Sequence, residues 1–378
     1  MTSAETTTQL TGMTWDHPRA YECLIAASEA YAGETGITID WDKRSLQAFA
    51  DAPIAELAAD YDLIVLDHPH VGVIAKTKCL MPLPAMEAPA EISLGGSVES
   101  YIWGGQTWAY PIDAACQMAV LRPDLGGSMP ANWERFLDDD AHTLRPLTPL
   151  LPVDAFDMML TLVAGQGEQV LPITETEFCS HDAGLRALHL IKRLYRLGPS
   201  EAASMNPIHV LEALSTTDDF ALSPCLFGYI NYAKPGFRPN KLEYVDQPVF
   251  KDHQLRQAIL GGAGLGVSAL RDNREAAQAF AHWVTSEPVQ SGVYLDHNGQ
   301  PAHLQTWQAK SDDPRYAGFL KGGFETIRTA WTRPRDPWFL GMVDDICEIF
   351  PAFFLKDQAE EGFLAQIQKI YRKHRAAS

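Results

Sequence analysis

The sequence predicts an α/β protein of two lobes, with mixed sheets flanked by helices. Three observations predict it. The length of 378 residues exceeds that of one ordinary domain. Strand and helix signals alternate from Leu10 to Leu66, the pattern of layered α/β folds with right-handed crossovers. No linker, internal repeat or low-complexity tract divides the chain, so its two parts are expected to interleave rather than follow one another.

The elements follow in order. Leu10–Trp15 is a short apolar strand. Pro18 opens a helix carrying Leu24, Ile25, Ala27 and Tyr31, and Gly33 and Gly36 close it, which is the usual proline and glycine punctuation. Ile37–Trp41 alternates as a strand. Ser45–Asp60 reads as a helix interrupted at Pro53. Tyr61–Leu66 is apolar without alternation, as buried parallel strands are. Ser97–Leu121 brings strands rich in aromatic residues, among them Tyr101, Trp103, Trp108 and Tyr110. Helices are predicted near 130–140, 153–164, 181–197 and 207–214, a strand and turn over 220–232 and another strand over 242–249. The glycine run Gly261–Gly266 leads into an amphipathic helix at Asn273–Thr285. A Pro-rich joint, Trp331–Trp338, precedes helices near 339–350 and 359–372.

Composition excludes several functions. The net charge is −18, from 30 Lys and Arg against 48 Asp and Glu, which opposes nucleic acid and anionic membrane surfaces as partners. Six cysteines show neither CxxC pairing nor metal-type spacing with histidine, so free, buried thiols are expected. No apolar run approaches the roughly 20 residues of a membrane-spanning helix. Met1–Leu10 has neither the basic start nor the apolar core of a signal peptide. No metal and no cofactor are expected: the glycine run lacks the G-x-G-x-x-G spacing and a Walker lysine, and no G-x-S-x-G elbow occurs.

The chemistry-bearing residues cluster after the expected strands. Trp15-Asp16-His17-Pro18-Arg19 and Asp67-His68-Pro69-His70 both put Asp-His-Pro at the carboxyl end of a strand, the edge at which open α/β sheets bind ligands. The plain alternative makes Asp16 and Asp67 helix caps. Tyr110, Asp113 and Gln117 combine an aromatic face with polar contacts, as small-molecule pockets do, although core packing explains aromatics equally well. Phe227, Gly228, Tyr229 and Asn231 form a second such group, with Gly228 permitting close backbone approach. Gln300 lies in a Gly-Gln-Pro loop. Arg333 and Arg335 suit a structural ion pair or an anionic ligand.

These pieces, TWDHPR, YDLIVLDHPHVG, WAYPIDAACQ, LFGYINYA, GGAGLGVSA, GQPAH and RPR, resemble in order and spacing the extracellular solute-binding proteins of sugar-type ABC transporters, the maltose-binding-like class with the type II periplasmic-binding-protein fold. The resemblance covers nearly the whole chain. It implies one lobe from 1–112 plus 264–312, another from 113–263 plus 313–378, and a ligand cleft between them. It implies ligand-binding roles for Trp15, Asp16, His17, Arg19, Asp67, His68, His70, Tyr110, Asp113, Gln117, Phe227, Tyr229, Asn231 and Gln300. The partners it implies are a sugar or polyol and, for an exported chain, an ABC permease, with the protein a monomer. A periplasmic location follows if a leader has been removed, a cytoplasmic one if the chain is complete as given. The alternative function is a cytosolic enzyme that reuses the fold, with His17, His68 and His70 in acid–base roles beside their carboxylates.

Overall fold

The structure, a computed structural model, describes residues 8–45, 53–167 and 177–376. The main described elements, short helical turns aside, are in chain order β1 (Gln9–Trp15), α1 (Pro18–Thr35), β2 (Thr38–Arg44), α2 (Ile54–Asp60), β3 (Leu63–Leu66), α3 (Val71–Thr77), β4 (Ile102–Trp103), β5 (Gln106–Thr107) and β6 (Tyr110–Leu121). They continue with α4 (Pro152–Ala164), α5 (His181–Leu197), α6 (Pro207–Thr216), β7 (Leu222–Phe227), β8 (Glu243–Val245), β9 (Leu260–Val267), α7 (Arg274–Val284), α8 (Leu304–Lys310), α9 (Pro337–Leu355) and α10 (Glu360–Ala376). Of the helix expected over 45–60, residues 46–52 lie outside the described residues, as do residues 1–7, on which the reading of the N-terminus partly rested.

The chain forms two compact units, Met1–Ala115 with Gly261–Lys310 and Cys116–Leu260 with Ser311–Ser378. It passes from one to the other inside β6, at the start of β9 and after α8.

In the first unit β1 is central. It pairs in parallel with β2 from Gln9↔Thr38 to Trp15↔Arg44, and with β3 at Gly12↔Leu63 and Met13↔Ile64. β9 joins β3 antiparallel, from Leu63↔Val267 to Leu66↔Gly264. Helix α1 begins at Pro18 and ends where Gly36 adopts a left-handed conformation (φ 77°) and donates to the Ala32 carbonyl. Its Ala20, Leu24, Ala27 and Tyr31 recur at helical spacing and pack with Leu10, Leu63, Val65 and Phe280 in one apolar cluster. A second cluster on Met13, Ile64 and Leu66 takes in Leu57, Ile74, Tyr101 and Trp108.

The glycine run, expected only to lead into the following helix, is the body of β9. Glycine has weak strand propensity, so only its neighbours explain it. A Cβ on Gly264 would stand 2.6 Å from the Tyr101 ring, and one on Gly266 the same distance from Leu80. Gly262, at φ 99°, meets the Asp113 carbonyl. The glycines let bulky residues lie against a central strand.

In the second unit the Cys116–Leu121 half of β6 pairs antiparallel with β7, through Gln117↔Phe227 and Leu121↔Leu222, and with β8 at Val120↔Tyr244. Every residue of α4 from Asp154 to Ala164 is buried, because α5 and α9 both pack on it and α10 packs on them. Phe350, Phe353 and Phe363 close the α9–α10 contact, with ring centroids 4.4–5.0 Å apart for the two pairs that include Phe363. The helix expected near 130–140 is instead two 3₁₀ turns, Trp133–Leu137 and Asp139–Leu144. Asp138 separates them in an extended conformation, and a run of aspartates favours turns over a helix interior.

Candidate ligand-binding site

In the first unit the loop after β1 is fastened at both ends. Trp15 is buried at the end of the strand. Asp16 is exposed and pairs with Lys43 at 3.0 Å. The helix cap is His17, not Asp16: its Nδ1 accepts from the Arg19 N–H at 3.1 Å. Arg19 turns inward and meets Asp113 with two parallel bonds, Nε to Oδ2 at 2.8 Å and Nη2 to Oδ1. Both side chains are buried, and the guanidinium lies 6.0 Å from the Trp15 ring centroid. Burial pushes the Asp113 carboxyl above its usual range, and Arg19 pulls against it.

The loop after β3 holds Asp67 at the head of the 3₁₀ turn His68–His70, where its side chain makes no cap bond. His68 is fully buried and meets Tyr101 edge-on, with centroids 6.3 Å apart. His70 is half-buried. Tyr110 belongs to the core, with its hydroxyl donating to the Pro84 carbonyl at 2.8 Å. Gln300 is also buried and ties its loop to β6 through Nε2 to the Ala114 carbonyl at 2.7 Å. The structure therefore joins Trp15, Arg19 and Asp113 directly, while Tyr110 and Gln300 spend their polar ends on backbone.

In the second unit Gln117 accepts from Thr161 Oγ1 at 2.6 Å and from the Cys225 thiol at 3.4 Å, and its own carbonyl accepts from Gln247 Nε2 at 2.7 Å. Phe227 ends β7 half-buried. The close approach at Gly228 is by protein: a Cβ there would stand 2.7 Å from Met118 Sδ and 2.9 Å from Phe319. Tyr229 is buried with its backbone clasped by the Tyr244 hydroxyl, which accepts from its N–H at 3.1 Å and donates to its carbonyl at 2.8 Å. Asn231 differs from all of these. It is 0% exposed, yet neither Oδ1 nor Nδ2 has a hydrogen-bond partner among the described residues. An unmatched buried amide is costly to a fold.

Among the described residues no group of histidine, cysteine and carboxylate is placed to hold a metal, and no helix is long and apolar enough to cross a membrane. All six cysteines are free, five of them buried.

A family model described as bacterial extracellular solute-binding protein matches residues 26–306. The chain belongs to this family. No curated protein matches the sequence. Solved structures share its fold at low identity. The GacH receptor of Streptomyces glaucescens, solved unliganded and with acarbose, is 17% identical, with TM-score 0.79 over 98% of this chain and 99% of that one. Maltose-bound MalE3 of T. maritima is 17% identical, with TM-score 0.81 over 97% and 99%. An ABC transporter solute-binding protein of Thermotoga lettingae bound with α-D-tagatose is 16% identical, with TM-score 0.80 over 97% and 100%. The fold of this solute-binding protein is thus the mixed α/β, two-lobed fold of the maltose-binding-like class.

The sequence reading passed over two residues of this solute-binding protein. Asp154 and Asp157 lie one turn apart on α4, 6% and 4% exposed. Asp157 pairs with buried Arg333 at 3.4 Å, the structural ion pair that was one of the two roles foreseen for the arginines. Burial and then Asp157 push the Asp154 carboxyl well above its usual range. The available signal was two aspartates at helical spacing inside Val153–Ala164, an otherwise apolar helix.

Proposed function

We propose that this solute-binding protein captures a sugar or polyol outside the cytoplasmic membrane and, as a monomer, hands it to an ABC permease. The family match, which runs through most of both units, carries the reading. Support comes from three solved structures of the same fold, described with acarbose, maltose or α-D-tagatose. Residues 1–112 plus 264–312 and 113–263 plus 313–378 would act as the two lobes, and each unit offers candidate contacts of its own. In the first, Asp16 and Asp67 would accept hydrogen bonds from hydroxyls, Trp15 would supply an apolar face, and His17, His68 and His70 border the same two loops. The Arg19–Asp113 pair holds the loop after β1 in place. In the second, the Asn231 amide both donates and accepts, as a hydroxyl group requires, with Phe227 and Tyr229 beside it in sequence.

The test is a thermal-unfolding screen against sugars, polyols and small organic acids. A solute that binds the native state alone raises its stability with concentration. The expected result is a saturable rise for at least one sugar or polyol, weakened by Asn231→Ala. A response confined to organic acids, or none across the panel, overturns the reading.

A further inference from the structure

We propose that Asp154 is a specificity-determining residue of the second unit that receives a protonated amine of the solute, which makes the solute an amino sugar or a related polyhydroxyl amine. The inference rests on the solute-binding reading above and narrows its ligand class.

Three ionisable side chains that carry charge lie close together inside this unit: Asp154, Asp157 and Arg333. Arg333 is engaged by Asp157. Asp154 has no hydrogen bond or ion pair among the described residues, and no cation counteracts the effect of burial and Asp157 on it. Two cysteines face this cluster. Cys225 on β7 feels both carboxylates, and Cys347 on α9 feels them together with Asp344. An ionised Asp154 is therefore one negative charge in excess, in surroundings that disfavour charge.

A proton alone resolves this poorly. It removes the charge but brings the carboxyl neither a counter-charge nor further donors. A ligand ammonium supplies both the missing charge and the missing donors. The carboxyl is also reachable. Asp154 is 94% buried, yet its oxygens are not among the unpartnered polar atoms that are wholly enclosed. Its position is fixed from both sides, by Pro152 at the start of α4 and by Asp157 one turn on, whose pairing with Arg333 holds that cation away.

The test uses matched probes on the full chain: glucosamine and its β-1,4 dimer and trimer, against glucose, N-acetylglucosamine and the corresponding N-acetylated oligomers. Affinity is read by calorimetry at pH 7.5. At least one amine is expected to bind tenfold or more tightly than its N-acetylated counterpart, and Asp154→Asn to reduce that ratio at least tenfold. In the wild type, the preference for the amine is expected to weaken as pH is lowered and Asp154 takes up its proton, because the neutral carboxyl offers the ammonium no counter-charge. This readout needs no variant. Equal or tighter binding of the neutral partners overturns the inference and leaves the sugar-binding reading standing. Absence of amine binding, or amine affinity independent of both pH and Asp154, also overturns it. Failure of every sugar and polyol in the thermal screen, by contrast, removes the reading on which it stands.

Discussion

Arg19 and Asp113 are separated by 94 positions in sequence and meet as a two-bonded ion pair in the interior of the first unit, joining the first turn of α1 to β6. Neither charge has water to fall back on. Truncating one partner leaves the other buried and uncompensated, which costs about 3–5 kcal/mol. Arg19→Met is therefore expected to lower the denaturant midpoint sharply at unchanged slope, and Arg19→Met with Asp113→Leu to recover most of the loss. A single variant as stable as the wild type would show that the pair is not sealed from solvent.

His17 caps α1 through its ring nitrogen. Its replacement by alanine is expected to cost about 1 kcal/mol of unfolding free energy, and His17→Asn or His17→Ser to restore it. Chemical denaturation measures both. Loss in alanine without rescue by asparagine or serine would mean that the imidazole matters for something other than the cap.

At Gly264 a methyl group must displace the Tyr101 ring, whereas at Gly127 the nearest atom to a new Cβ is 3.6 Å away. Gly264→Ala is expected to destabilise by about 1–3 kcal/mol, the usual penalty of overpacking. Gly127→Ala is expected to change stability by less than about 1 kcal/mol, the scale of the glycine entropy effect. Equal midpoints for the two variants would contradict the packing around β9.

Asp154 keeps its proton in the folded state to a higher pH than in the unfolded chain. The unfolded chain thus releases this proton first, and its contribution to stability is lost as pH rises from its unfolded value near 3.8 through its folded value. Asp154→Asn removes the titration. The variant is expected to gain stability over the wild type as pH is raised toward neutrality and to match it most closely in acid. Unfolding curves taken at several pH values check the sign.

Burial lifts the Cys23 thiol to about 12, and Cys347 likewise. Thiolate is the reactive form, so native protein at pH 8 is expected to react negligibly with a disulfide reagent, while denaturation releases six equivalents. Rapid native labelling would show that these thiols are exposed by local opening.

The sequence showed β1, α1, β2, β3 and the long helices because their apolar residues recur at strand or helix period between proline and glycine stops. It hid β9, whose glycines owe their place to Tyr101, Leu80 and the Asp113 carbonyl, all distant in sequence. The candidate site was legible as loops that follow strands. What each residue does there was not. Asp16 is the expected cap until the backbone gives that place to His17, and Tyr110 and Tyr229 resemble pocket walls until packing encloses them. Asp154 and Asp157 were overlooked because a helix so apolar reads as core, and only burial without a partner sets Asp154 apart.

Because the chain leaves the first unit within β6 and returns only at β9, that unit cannot be completed until residue 310 has left the ribosome, and the second needs α9 and α10. Translation thus delivers neither unit early as a finished body, and the β3 edge that β9 covers stays unpaired until Val267 has emerged. Splitting the gene at any single point would separate the pieces of at least one unit. An engineer who wants either unit alone must rejoin distant segments by permutation rather than truncate.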